Sequence, residues 1–121
     1  MREYLFRGKR VDNGKWVEGS YVRIDYHDSN DYVERDLIIL PNGHELEVIP
    51  ESVGMWTGLE DKEDVKVFEG DLIKHINFGE DYGEVKFTEG AFWIESVVAS
   101  TYHSSVIKVV GSIHDNKELL K

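Results

Sequence analysis

Apolar and polar residues alternate with a period of two along most of this chain, the repeat that sends successive side chains of a β-strand to opposite faces. Residues 2–10 and 15–24 flank Asn13-Gly14, a dipeptide that readily adopts the two positive φ angles of a tight hairpin turn. A two-residue turn there predicts that Asp12 faces Lys15, Val11 faces Trp16, Lys9 faces Glu18 and Phe6 faces Tyr21. Two opposite-charge pairs and two apolar pairs follow from one assumption. Gly8 would face Gly19, which predicts a bend or bulge.

A second hairpin is predicted to join residues 36–40 to 45–49 through Pro41-Asn42-Gly43, with Gly43 in the left-handed region of a type I turn and glycine bulge. Residues 25–34, polar and acidic apart from Tyr26, Tyr32 and Val33, read as a long mobile connection. Pro50 suits the first position of one helical turn over residues 50–53. The third hairpin turns at Glu89-Gly90 and pairs Phe87 with Phe92, Lys86 with Trp93 and Val85 with Ile94. Its predicted core face is Val85, Phe87, Phe92 and Ile94; the other sets Lys86 on Trp93 as a candidate cation–π contact. Glu84 would then face Glu95, and the pairing should fray there.

Strands at 71–76, 83–87, 91–97 and 106–113 follow in succession, and Asp115 or Asn116 can cap a short final helix through Leu120. The expected fold is mainly all-β. Residues 51–121 would form a small SH3-like barrel-type portion, packed with N-terminal hairpins in residues 1–50, within one domain spanning 1–121. Alternation alone leaves barrel and sandwich both open.

At 121 residues, 40% hydrophobic and 12% aromatic, the chain is long enough for one core and too apolar for disorder. It has no cysteine, which excludes disulfides, thiolate nucleophiles and thiolate metal sites. The start, Met1-Arg2-Glu3-Tyr4, lacks an uninterrupted apolar segment, so a cytoplasmic location is expected. Apolar runs such as residues 37–40 are strand-sized, and no membrane association is expected. A net charge of −10 argues against general nucleic-acid binding, which draws on Lys and Arg. Arg7, Lys9, Arg10, Lys15 and Arg23 form a basic cluster early in the chain, read first as a soluble hairpin edge.

Candidate chemistry is sparse. His27, His44, His75, His103 and His114 form no HxH, HxxxH or HExxH spacing, and no nucleophile elbow or phosphate loop is present. Glu60, Asp61, Glu63 and Asp64 lack the offsets of a calcium loop and read as a solvated connection. No metal, cofactor or catalytic residue is assigned. Gly14, Gly43, Gly58, Gly70 and Gly90 are read as turn positions, with Asp71 accepting backbone N–H bonds in the Glu69-Gly70-Asp71 turn. Trp93 and Lys86 are the candidate binding residues. Trp56, between Gly54 and Gly58, reads first as core and second as an interface anchor.

Several segments, in order, resemble the YopX family: Phe6-Arg7-Gly8-Lys9, residues 13–19 (NGKWVEG), residues 57–62 (TGLEDK), Phe68-Glu69-Gly70-Asp71, and Ile113-His114-Asp115-Asn116 with Leu119-Leu120. Each motif alone is weak; the ordered set is specific and spans the chain. The resemblance implies a mainly β protein of phages and prophages in the bacterial cytoplasm, and it implies no activity. One departure is Glu63-Asp64-Val65, where family members often carry an Asn-Gly turn. The leading expectation is a non-enzymatic accessory protein acting through protein–protein contacts, self-association included. The alternatives are a nucleic-acid-binding module of SH3-like type and an acidic nucleic-acid mimic that binds a host protein. An enzyme using histidine and carboxylates is the third.

Overall fold

The computed structural model describes residues 4–27, 30–75, 82–88, 90–94, 97–98 and 107–116. They form two antiparallel sheets in two compact units, residues 1–55 and 56–121. Neither sheet is closed, so the expected SH3-like barrel is not confirmed. The predicted final helix falls largely outside the described residues, as do Glu89, Glu95 and His103.

In the first unit, β1 (Phe6–Lys9), β2 (Trp16–His27), β3 (Tyr32–Ile39) and β4 (Glu45–Glu47) are ordered β4-β3-β2-β1. The first hairpin differs from its predicted register. Lys9 pairs with Trp16, Gly8 with Val17, Arg7 with Glu18 and Phe6 with Gly19. Residues 10–15 form a longer loop, closed by Arg10 N–H to Lys15 carbonyl (2.9 Å) and Gly14 N–H to Arg10 carbonyl (2.9 Å). Gly14 takes φ 70°. Asp12 bonds Arg10 rather than Lys15, at 2.6 Å. The displacement is two residues, so every side chain stays on its predicted face; alternation cannot separate the two registers.

Packing separates them. A Cβ on Gly8 would lie 2.9 Å from Val48, and one on Gly19 would lie 2.3 Å from the Ile39 carbonyl oxygen. Each glycine admits a close neighbour, and neither faces the other. Val48, Ile38 and Leu37 are buried around them.

Residues 25–34 are not the mobile connection expected. β2 and β3 stay paired from Ser20↔Ile39 out to His27↔Tyr32. Cross-strand charges hide this strand pair from a hydropathy pattern. Arg23 reaches Glu34 at 2.7 Å, Asp25 at 3.5 Å and Asp36 at 3.7 Å, while Tyr32 Oη donates to Glu34 at 2.8 Å. The second hairpin forms as predicted: Gly43 takes φ 88°, its N–H donates to the Leu40 carbonyl (2.8 Å), and Ile38 pairs with Leu46. A 3-10 turn, Pro50–Ser52, follows; the Ser52 hydroxyl accepts the Lys9 N–H at 2.8 Å.

β5 (Gly54–Glu60) opens by pairing Gly54 and Met55 with β1. In the second unit, Trp56–Glu60 pairs with β6 (Lys66–Phe68) across a bulge between Trp56 and Glu60. There the Thr57 hydroxyl donates to the Val67 carbonyl (2.8 Å) and accepts the Leu59 N–H (3.1 Å), with Gly58 at φ 87°. Trp-Thr-Gly is thus a bulge inside a strand. The second sheet runs β10-β9-β8-β7-β11: β7 (Asp71–His75), β8 (Tyr82–Thr88), β9 (Ala91–Ile94), β10 (Val97–Val98) and β11 (Ile107–Ser112). β8 and β9 keep the predicted register, Val85↔Ile94, Lys86↔Trp93 and Phe87↔Phe92. Val67, Phe68, Leu72, Ile73, Val85, Phe92, Ile94 and Ile107 make the core of this unit.

Candidate binding surfaces

The β8–β9 hairpin presents the residues singled out for binding. Its ladder fixes Lys86 beside Trp93, and Gly90 takes φ 78° in the turn. The Trp93 indole N–H donates to the Thr88 carbonyl at 3.0 Å, which holds the half-buried ring in one orientation. The Lys86 ammonium lies 4.0 Å from the Glu84 carboxylate. The cation–π contacts given by the described residues lie elsewhere: Arg7 over Trp16 at 4.3 Å, Lys9 over Trp16 at 5.7 Å and Lys66 over Trp56 at 5.6 Å.

Phe87 departs from its predicted place in the core. It is 43% exposed, although its ring packs on Phe92 with centroids 4.8 Å apart. A position two residues short of a turn lies near the end of a ladder, where the face runs past the material that covers it. Trp56 is half-buried, its indole N–H bonded to the Leu59 carbonyl at 2.9 Å, in keeping with a packing role.

The acidic connection proves to be built around one buried carboxylate. Asp61 is 3% exposed; its Oδ1 accepts the N–H of Glu63 (2.8 Å) and Val65 (3.0 Å), and its Oδ2 accepts that of Val109 (2.9 Å). Burial pushes its pKa up, but the N–H donors of Val109, Val65 and Glu63 and the nearby Lys108 outweigh burial and hold it below the usual aspartate value. Asp64 takes φ 64° here, the conformation an Asn-Gly turn would supply. A solvated face is therefore the wrong description for Asp61. Spacing offered one cue, the Asx-turn habit of an aspartate ahead of a turn.

Glu69-Gly70-Asp71 also performs structural work. Asp71 is buried, and its Oδ2 accepts the Phe68 N–H at 2.7 Å. Gly70, at φ 91°, donates to the Val85 carbonyl (2.8 Å) and accepts the Ile113 N–H (2.9 Å). A Cβ there would stand 3.3 Å from His114 Nε2.

A second surface, missed from sequence, is the β2–β3 ribbon. Tyr26 and Tyr32 are each 51% exposed, and His27 stacks on Tyr32 with centroids 4.7 Å apart. Bonding to Glu34, with some burial and the Asp25 carboxylate, pushes the Tyr32 phenol up to about 12. The Tyr32 and Arg23 bonds hold Glu34 below its ordinary value. Tyr21 Oη donates to the buried Asp36 carboxylate, and burial together with that bond raises the phenol. Among the described residues no group of three or more His, Asp or Glu could hold a metal ion, and no helix is long and apolar enough to cross a membrane.

Comparison with known families decides what kind of protein this is: the YopX protein family matches residues 5–121. The chain belongs to the YopX family. No curated protein matches it. Among solved structures, this YopX-family chain is similar to the crystal structure of protein EF1440 from Enterococcus faecalis, with a TM-score of 0.62 and 22% identity over 100% of both chains. That likeness supports the fold and carries no residue role.

Proposed function

We propose that this YopX-family protein is a non-enzymatic accessory protein of a phage or prophage, working in the bacterial cytoplasm through protein–protein contacts. One observation carries the reading: the β8–β9 hairpin sets the exposed Lys86 beside an orientationally fixed Trp93 on one face, while Phe87 is exposed on the opposite face. Rigid aromatics on a ladder cost little ordering entropy on binding, which favours them as anchors. The basic residues that motivated a nucleic-acid reading are drawn into the protein's own contacts, Arg7 and Lys9 on Trp16 and Arg10 on Asp12. Capture from a bacterial host lysate tests the contact reading. A protein retained by the wild type and lost with Trp93→Ala or Lys86→Glu supports it. Unchanged capture by both variants, or salt-sensitive binding to DNA in its place, overturns it.

A further inference from the structure

Among the described residues, the outer edge of β3 is only half covered. β4 pairs with Leu37, Ile38 and Ile39, and the next bond on that side runs from the Val48 N–H to the Asp36 carbonyl at 2.9 Å. In an antiparallel ladder alternate residues turn their N–H and C=O to the same side. The backbone groups of Glu34 and Tyr32 therefore share the outward direction of Asp36. Among the described residues no strand pairs with them, whereas β2 takes the inner side throughout.

We propose that this edge, Tyr32–Arg35, pairs antiparallel with the same edge of a second copy of this chain, about a twofold axis at Val33. Hydrogen-bond parity selects that register. With Val33 on the axis, Tyr32 meets Glu34 of the second copy and Glu34 meets its Tyr32, so the outward donors and acceptors close four backbone bonds. Centring on Glu34 would require the Asp36 carbonyl, which Val48 already occupies.

Charge selects the same register. Asp31, one residue before the strand, falls opposite Arg35 of the second copy, and the reciprocal pair forms by symmetry. Centring on Glu34 would set that carboxylate against itself; centring on Arg35 would oppose two guanidinium groups and bring Glu34 against Asp36. Charges on an edge strand ordinarily discourage pairing. Here, in one register, each meets its opposite or a phenol. Asp31, Tyr32, Glu34 and Arg35 are all exposed, and Arg35 also lies 3.6 Å from Glu47 of its own chain, a contact its forked guanidinium can share. Val33, half-buried, would pack on its own copy, where opposed Cα atoms of a non-hydrogen-bonded pair lie about 4.5 Å apart.

This inference names a partner for the contact reading but uses a surface separate from β8–β9, so the two fail separately. Sedimentation equilibrium of the full chain should give twice the chain mass. Asp31→Arg, at an exposed position outside the strand, should return it to monomer, and the charge-swapped pair D31R with R35D should restore the dimer. The chain has no cysteine, so Val33→Cys introduces its sole thiol. Oxidation should link two copies rapidly through Cys at this position. Arg35→Cys should not cross-link, because its copies would stand about 14 Å apart, beyond disulfide reach. A wild type that stays monomeric at every concentration, or equal cross-linking of the two cysteine variants, overturns the proposal, and neither result bears on capture through Trp93.

Discussion

Asp61 holds a turn and a distant strand with one carboxylate, because Val109 of β11 and the turn residues Glu63 and Val65 all donate to it. Charge-assisted bonds of this kind are worth more than neutral ones when water is excluded. Asp61→Asn should lower stability by about 2 kcal/mol at neutral pH, measured by urea unfolding. The pH dependence has a definite sign. The folded carboxyl sits below its unfolded value, so its contribution is complete above the ordinary aspartate range and is lost as pH falls through the folded value. The gap between wild type and variant should therefore narrow below about pH 4. A gap that stays constant down to pH 2 would assign the effect to shape rather than charge. Gly19 and Gly14 make a second contrast. Alanine at Gly19 would drive its Cβ into the Ile39 carbonyl, 2.3 Å away, whereas Gly14 has open space and only an unfavourable φ. Gly19→Ala should cost about 3 kcal/mol and Gly14→Ala about 1 kcal/mol by the same measurement.

The long β2–β3 ribbon is held at the level of the element by side chains that read as loop in the sequence. Arg23 bridges Glu34 and Asp25 in exposed positions and reaches the buried Asp36 only at 3.7 Å, so Arg23→Gln should leave global stability little changed. It should nevertheless speed amide exchange of residues 24–27 and 32–35 several-fold, since an outlying two-stranded ribbon has little else to hold it. Unchanged exchange there would place the ribbon's rigidity elsewhere. Tyr21→Phe is the stronger change at this scale, because it strips a donor from the buried Asp36 carboxylate; a loss of about 1–2 kcal/mol is expected. Elements defined by turn chemistry were legible: Pro41-Asn42-Gly43 and Gly90 each encode a backbone conformation that few other residues adopt. The ribbon was not, because opposite charges paired across strands and solvated charges in a loop have the same composition.

At the scale of the molecule each unit has its own buried cluster, around Ile38 and Val48 in the first and around Leu72, Val85 and Ile107 in the second. Truncating a fully buried Ile or Leu typically costs about 2–5 kcal/mol. Ile38→Ala and Ile107→Ala should both fall in that range. Exchange should rise most in β2 and β3 for the first variant and in β7 and β11 for the second, by native-state hydrogen exchange. Identical exchange patterns in the two variants would mean that the units open as one.

Local chemistry written into the sequence was enough for strand-rich architecture, for the second and third hairpins and for family membership, because turns and alternation depend on neighbours a few positions apart. The depth of Asp61, the exposure of Phe87, the extent of β2 and β3 and the true first-hairpin register depended on what arrives from far along the chain. Two registers that keep the same faces are indistinguishable to hydropathy. Only Val48 against Gly8 and the Ile39 carbonyl against Gly19 separate them, and those approaches exist only once the sheet has formed.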